Sequence, residues 1–166
     1  MAARLAALDL AAYRVLRTAG HSPEAERAVR RFSALGEHAA IWLALGVAGM
    51  AFDGVRREHW RRGVGVVAGA YALNTAIKLA IRRRRPEVGD LPPLAGTPTA
   101  LSFPSAHATS SFAAARAYSG LLPAAPLYGL AIALALSRLY LGVHFLSDSV
   151  AGAALGLTVA ELAERR

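Results

Sequence analysis

The chain has no cysteine among its 166 residues. That excludes a disulfide framework and a thiolate metal site. Aromatic residues make up only 7%, and no series of base-stacking aromatics alternates with the arginines. The stacking platforms of a nucleic-acid binder are therefore missing, and nucleic acid is not expected as a partner. No repeat or low-complexity linker divides the chain, so residues 1–166 are expected to form a single domain. The first sixteen residues lack the unbroken apolar core of a signal peptide, because Arg4, Asp9 and Arg14 interrupt them.

What is present is grease and positive charge. The chain is 55% hydrophobic, with a mean hydropathy of +0.36. Much of the apolar content is alanine, which suits close-packed helices. The net charge is +8, from 19 basic and 11 acidic residues. The arginines gather at the ends of apolar stretches, as in Arg27-Arg30-Arg31, Arg56-Arg57, Arg61-Arg62 and Arg82 to Arg85. That placement fits anionic headgroups and the anchoring of an integral protein of the cell membrane.

The pattern predicts an all-α, multi-pass membrane bundle with about five membrane helices and an N-terminal interfacial helix. Leu5, Leu8, Tyr13 and Leu16 recur at helical spacing in the N-terminal segment, among Arg4, Arg14 and Arg17. Ser22-Pro23 marks a helix start. Apolar stretches follow at about 35–52, 63–81, 105–122, 127–141 and 143–162. Five prolines between 86 and 104 make that stretch a loop. Counting crossings puts Lys78–Arg85, Ser105–His107 and Arg138–Asp148 on one membrane face. The arginines do not settle which face that is. Arg56, Arg57, Arg61, Arg62, Arg165 and Arg166 fall on the other side, whereas Arg27, Arg30 and Arg31 fall on the same side.

Three polar clusters carry the chemistry. Lys78 and Arg85 are seven apart and share a face if the helix runs that far. A lysine inside an apolar helix end is costly without a partner, which makes it a functional candidate. For Arg82, Arg83 and Arg84, interface anchoring is the expected role. Pro104-Ser105-Ala106-His107 reads as a helix start with Ser105 at the cap, where free N–H groups and the dipole can hold an anion. His144 and Asp148 are i and i+4, so they face each other if that segment is helical. A carboxylate on one imidazole nitrogen leaves the other free to attack. Two histidines and an aspartate could bind zinc. The surrounding cations would repel a metal, and neither a metal nor another cofactor is expected. Glu37 and His38 are possible headgroup contacts, and self-association is left open.

Together these residues resemble the type 2 phosphatidic acid phosphatase superfamily, which also includes vanadium-dependent haloperoxidases. Its signature has three parts. Lys78, six residues and Arg85-Pro86 match the first. Pro104-Ser105-Ala106-His107 matches the second, with Ala106 where glycine is usual. Ser137-Arg138, five residues, His144, three residues and Asp148 match the third. The resemblance implies that His144 is the nucleophile, that His107 is the acid and base, and that Asp148 orients His144. It implies that Lys78, Arg85, Ser105, Ala106 and Arg138 bind phosphate without a metal. The expected partner is a lipid phosphate: a polyprenyl diphosphate, a phosphatidate or phosphatidylglycerol phosphate, or a polyprenyl-phosphate sugar phosphate. Small size and Ala/Arg-rich composition are similar to actinobacterial members, among them phosphatases of decaprenylphosphoryl-ribose 5-phosphate. The alternatives are a vanadate-dependent haloperoxidase and a non-catalytic lipid-binding protein.

Overall fold

Apolar helices that cannot satisfy their backbone from lipid must satisfy it internally, and the chain folds accordingly into helices. The structure is a computed structural model that describes residues 2–165. Met1 and Arg166, the latter counted above among the far-side arginines, lie outside them. The helices are α1 (Ala2–Thr18), α2 (Pro23–Ala34), α3 (Ala40–Phe52), α4 (Arg57–Ile81), α5 (Ala106–Tyr118), α6 (Ala124–Tyr140) and α7 (Leu146–Glu164). Among the described residues there is no strand beyond one isolated bridge, Arg84 with Leu101.

Each expected apolar stretch holds a helix. By length and composition, Gly54–Ile81 and Leu146–Glu164 can cross a membrane. The pair Pro23–Ala34 and Glu37–Phe52, bent by 48°, makes a third span if it is taken as one. At 13 residues α5 is short, about 20 Å at 1.5 Å per residue. It is enclosed by the other helices, so it need not be lipid-compatible. Ala108, Thr109, Ser110, Ser111 and Ala113 to Ala115 are all buried. The close fit depends on α7. A Cβ on Gly152 would come within 2.6 Å of Ser105 O, and one on Gly156 would collide with the Thr109 carbonyl. Only glycine lets the α7 and α5 backbones approach this closely.

The apolar core gathers Trp42, Trp60, Val67, Tyr118 and Leu134. Its polar handles are satisfied: Trp42 Nε1 donates to Ser111 Oγ at 2.8 Å, and Tyr118 OH to Trp42 O at 3.1 Å.

Local boundaries differ from the sequence reading at four places. The stretch from Leu35 is broken at Glu37–Ala39, where His38 and Ala39 are left-handed (φ 51° and 59°), and α3 starts only at Ala40. Helix α4 starts at Arg57, ahead of the expected 63, and ends at Ile81 as expected, with Arg82 left-handed (φ 55°), so the condition for Lys78 and Arg85 to share a helix is not met. Helix α5 ends at Tyr118 rather than near Leu122. Helix α7 starts at Leu146, not Val143, because Asp148 caps it by accepting the Phe145 N–H at 2.8 Å. His144 therefore lies in the turn before α7.

Helix α1 also differs. Its buried residues are Asp9, Tyr13 and Arg17, one helical turn apart, while Leu5, Leu8 and Val15 face outward. The amphipathic helix is there, but the side it turns to the protein is the polar one.

Candidate active site

The three clusters meet. A cavity of about 200 Å³ is lined by Lys78, Arg85, Ala106, His107, Arg138 and His144, with Glu37, His38, Tyr71, Asn74 and Thr75 also on its wall. Ser105 and Asp148 are fully buried directly behind it. No helix supplies two of its cations. Lys78 comes from α4, Arg85 from the loop after it, and Arg138 from α6.

The loop after α4 is pinned by residues of α4 itself. Lys78 Nζ donates to the carbonyls of Leu101, Ser102 and Pro104 at 3.3, 3.2 and 2.9 Å. Asn74, one turn earlier on the same face, donates to Pro104 O (3.3 Å) and Thr109 Oγ1 (2.8 Å). These bonds set the turn that leads into α5. Ser105 occupies the N-cap position but makes no side-chain cap bond. Its Oγ is buried without a protein partner.

The two imidazoles are held differently. His107 Nε2 lies 3.0 Å from Ser33 O, a contact that makes Nε2 the protonated nitrogen. Ser33 Oγ accepts from Arg138 Nη1 at 2.8 Å, so one residue of α2 orients both groups. The approach is tight, since a Cβ on Gly36 would come within 2.6 Å of the His107 ring.

His144 Nε2 lies 3.2 Å from Arg85 Nη1. A guanidinium only donates, so Nε2 carries the lone pair and Nδ1 the proton. Nδ1 lies 3.5 Å from Asp148 Oδ2, looser than a well-formed hydrogen bond. Burial pushes the His144 imidazole down to about 4. Asp148 opposes that shift, and Arg85 and Arg138 add to it. At neutral pH the ring is uncharged. Burial also lowers Arg85, to about 10, with Arg138 adding to the effect, and the guanidinium stays charged.

An uncharged imidazole whose lone pair faces Arg85 at the cavity, a second imidazole and three cations around one small cavity can bind an oxyanion and attack it. The site residues named from the sequence line this cavity or stand directly behind it. Glu37 and His38 reach its rim, where His38 Nδ1 meets Tyr71 OH at 2.9 Å. Asp90, in the proline-rich loop, pairs with Arg14 at 3.1 Å, on the surface.

A family model described as "PAP2 superfamily" matches residues 62–164. The chain belongs to the PAP2 superfamily. Curated relatives agree. One from Mycolicibacterium smegmatis, named decaprenylphosphoryl-5-phosphoribose phosphatase, is 45% identical over 128 residues, covering 74% of this chain and 68% of the relative. One of the same name from Mycobacterium tuberculosis is 42% identical over 140 residues, covering 81% and 76%. Among solved structures, Aquifex aeolicus LpxE shares the fold with a TM-score of 0.81 at 24% identity, covering 95% of this chain and 94% of that one. A transmembrane PAP2-type phosphatidylglycerolphosphate phosphatase from Bacillus subtilis has a TM-score of 0.77 at 25% identity, covering 98% and 85%. This PAP2 protein is an all-helical integral membrane protein and a phosphoric ester hydrolase.

Sequence reasoning missed several residues here. Ser33 and Gly36 gave no signal, since a serine and a glycine near a helix end are ordinary. Asn74 gave one: a polar amide one turn before Lys78 in an apolar helix. Arg83 was expected to be an anchor. It instead donates to Asp148 Oδ1 at 2.8 Å, whereas its neighbours Arg82 and Arg84 are exposed.

Proposed function

We propose that this PAP2 protein is a metal-independent lipid phosphate phosphatase working through a phosphohistidine. The observation that carries the reading is the His144 ring, with Nδ1 toward Asp148 and Nε2 toward Arg85 and the cavity. On binding, a phosphate oxygen takes the Arg85 donor and frees the Nε2 lone pair. Nε2 then attacks phosphorus, forming the P–N bond as the P–O bond to the leaving group breaks. His107, doubly protonated in the complex with Nε2–H kept on Ser33 O, gives its Nδ1 proton to the departing oxygen and becomes neutral. In the second half His107 takes a proton from water, whose oxygen attacks phosphorus and breaks the P–N bond. Asp148 holds the ring and balances its developing positive charge. Arg85, Arg138, the Ser105 hydroxyl and the Ala106 region stabilise the five-coordinate transition state. Lys78 adds charge and keeps the 101–104 turn in place. These cations do the work a divalent metal does elsewhere.

The substrate we favour is a polyprenyl-phosphoryl sugar phosphate, turned over by a single-domain, multi-pass protein of the plasma membrane. At about 200 Å³ the cavity falls below the ~300 Å³ of common ligand pockets. It suits a phosphate and the adjoining headgroup, with the tail left in lipid. Glu37, His38, Tyr71 and Thr75 at its wall offer hydroxyl partners. The names of the two mycobacterial relatives point the same way. The test is phosphate release from a panel of polyprenyl-phosphoryl pentose phosphate, polyprenyl diphosphate, phosphatidate and phosphatidylglycerol phosphate, with and without EDTA. The reading expects the sugar phosphate to give the highest kcat/KM and EDTA to change nothing. A preference for phosphatidate, or loss of activity in EDTA, contradicts it.

A further inference from the structure

Helix α1 buries a carboxylate where an interfacial helix has no need of one. Asp9 is 2% exposed. Its Oδ1 accepts the Ser147 N–H at 2.9 Å, and its Oδ2 accepts Ser147 Oγ at 2.6 Å and Arg83 Nη2 at 2.8 Å. Burial alone would raise its pKa. The Arg83 and Ser147 donors outweigh that and hold it below the usual value. Arg83 in turn donates through Nη1 to Asp148 Oδ1 at 2.8 Å and Ser147 Oγ at 2.7 Å. Its guanidinium carbon lies 4.4 Å from the centre of the Phe145 ring.

We infer that Arg83, held from α1 by Asp9, is the positioning residue that aims the Asp148 carboxylate at His144. Asp148 has two oxygens to place. Oδ2 serves the Phe145 N–H and faces His144 Nδ1. Among the described residues, Oδ1 is bonded by one side chain, Arg83. With Oδ1 released the carboxylate can rotate, and the 3.5 Å contact to His144 loses its direction. Arg83 would drift likewise without a second anchor, because a guanidinium is fixed when both ends of its fork are engaged. Asp9 supplies that anchor. Helix α1 is tied down in turn by Tyr13 OH to Leu91 O and Arg17 Nη2 to Pro92 O, both 2.7 Å. Its outward Leu5, Leu8 and Val15 give it a lipid-facing side. A helix at the membrane surface is thus wired to the nucleophile's partner through two ion pairs.

This inference rests on the reading of Asp148 as the orienter of His144. The experiment is a double-mutant cycle on phosphate release by the full-length protein in detergent micelles, with kcat and KM separated. Arg83→Ala should lower kcat about 100-fold with KM changed less than about threefold. Arg83→Lys should recover part of that, and the isosteric Asp9→Asn should lower kcat about tenfold. In an Asp148→Asn background, Arg83→Ala should cost less than about threefold, since nothing remains to be aimed. Equal cost in both backgrounds, or a raised KM at unchanged kcat, overturns the inference. An Asp148→Asn variant with wild-type kcat overturns the underlying reading as well. If Arg83→Ala fails to fold, Asp9→Asn and Arg83→Lys in both backgrounds carry the same test.

Discussion

The two ends of the bundle are both rich in arginine, and they use it in opposite ways. At the far end Arg61 and Arg62 pair with Glu58 at 2.7 and 3.2 Å, Arg56 pairs with Asp53 at 2.6 Å, and Arg116 binds Glu161 and Glu164. Most of these side chains are about half exposed or more, and each cation has a carboxylate within reach along its own or the adjacent helix. Such pairs contribute little individually. At the site end Lys78, Arg85 and Arg138 are tucked against carbonyls, a hydroxyl and an imidazole, with no carboxylate among the described residues bonded to any of them. Their charge is left for something else to neutralise. Burial without an acidic partner, rather than clustering in sequence, separates a working cation from an anchor. Arg83 is intermediate: partly buried, and bonded to two carboxylates.

Substitutions can test that contrast, beginning with the largest effect. His144→Ala removes the attacking atom, and kcat should fall by about 10³-fold or more at unchanged folding, measured by phosphate release. Arg138→Lys swaps a planar fork for a point charge that cannot hold Ser33 and a phosphate together. kcat/KM should drop about 10- to 100-fold. Gly36→Ala pushes a methyl into the His107 ring, and kcat should fall about tenfold as the proton donor is displaced. At the far end Glu58→Gln should leave kcat/KM within about twofold of wild type, since Arg61 and Arg62 do no chemistry.

The pH response sharpens the same contrast. The ordinary value for His144 is 6.5, and burial lowers it to about 4. Between those values the unfolded chain takes up a proton that the folded site refuses. Stability is therefore fully present above about 6.5 and declines as pH falls toward 4. A denaturant midpoint series should show a smaller decline in His144→Ala than in wild type, and identical declines would contradict the buried neutral ring.

Much of this was legible in the sequence, because the signals were short-range. Apolar stretches bounded by Pro123, by the prolines from 86 to 104 and by arginine clusters located the helices. The polar residues interrupting them located the site. What was not legible depended on where backbone turns send a side chain. The left-handed Arg82 turns the chain so that Arg83 points inward. The Asp148 cap ends the loop after His144, so the pair meets across a turn instead of along a helix. For α1, helical period revealed an amphipathic segment. With lipid on one side and a polar cluster on the other, period alone could not say that Asp9, Tyr13 and Arg17 face inward.

The most direct measurement is rapid-quench trapping of wild-type protein with substrate labelled in the scissile phosphate, followed by mapping of the labelled peptide under alkaline conditions. The mechanism predicts an acid-labile, base-stable phosphoryl group on His144 that forms and decays at rates compatible with kcat. A label on any other residue, or no phosphoenzyme while phosphate is still released, would contradict it.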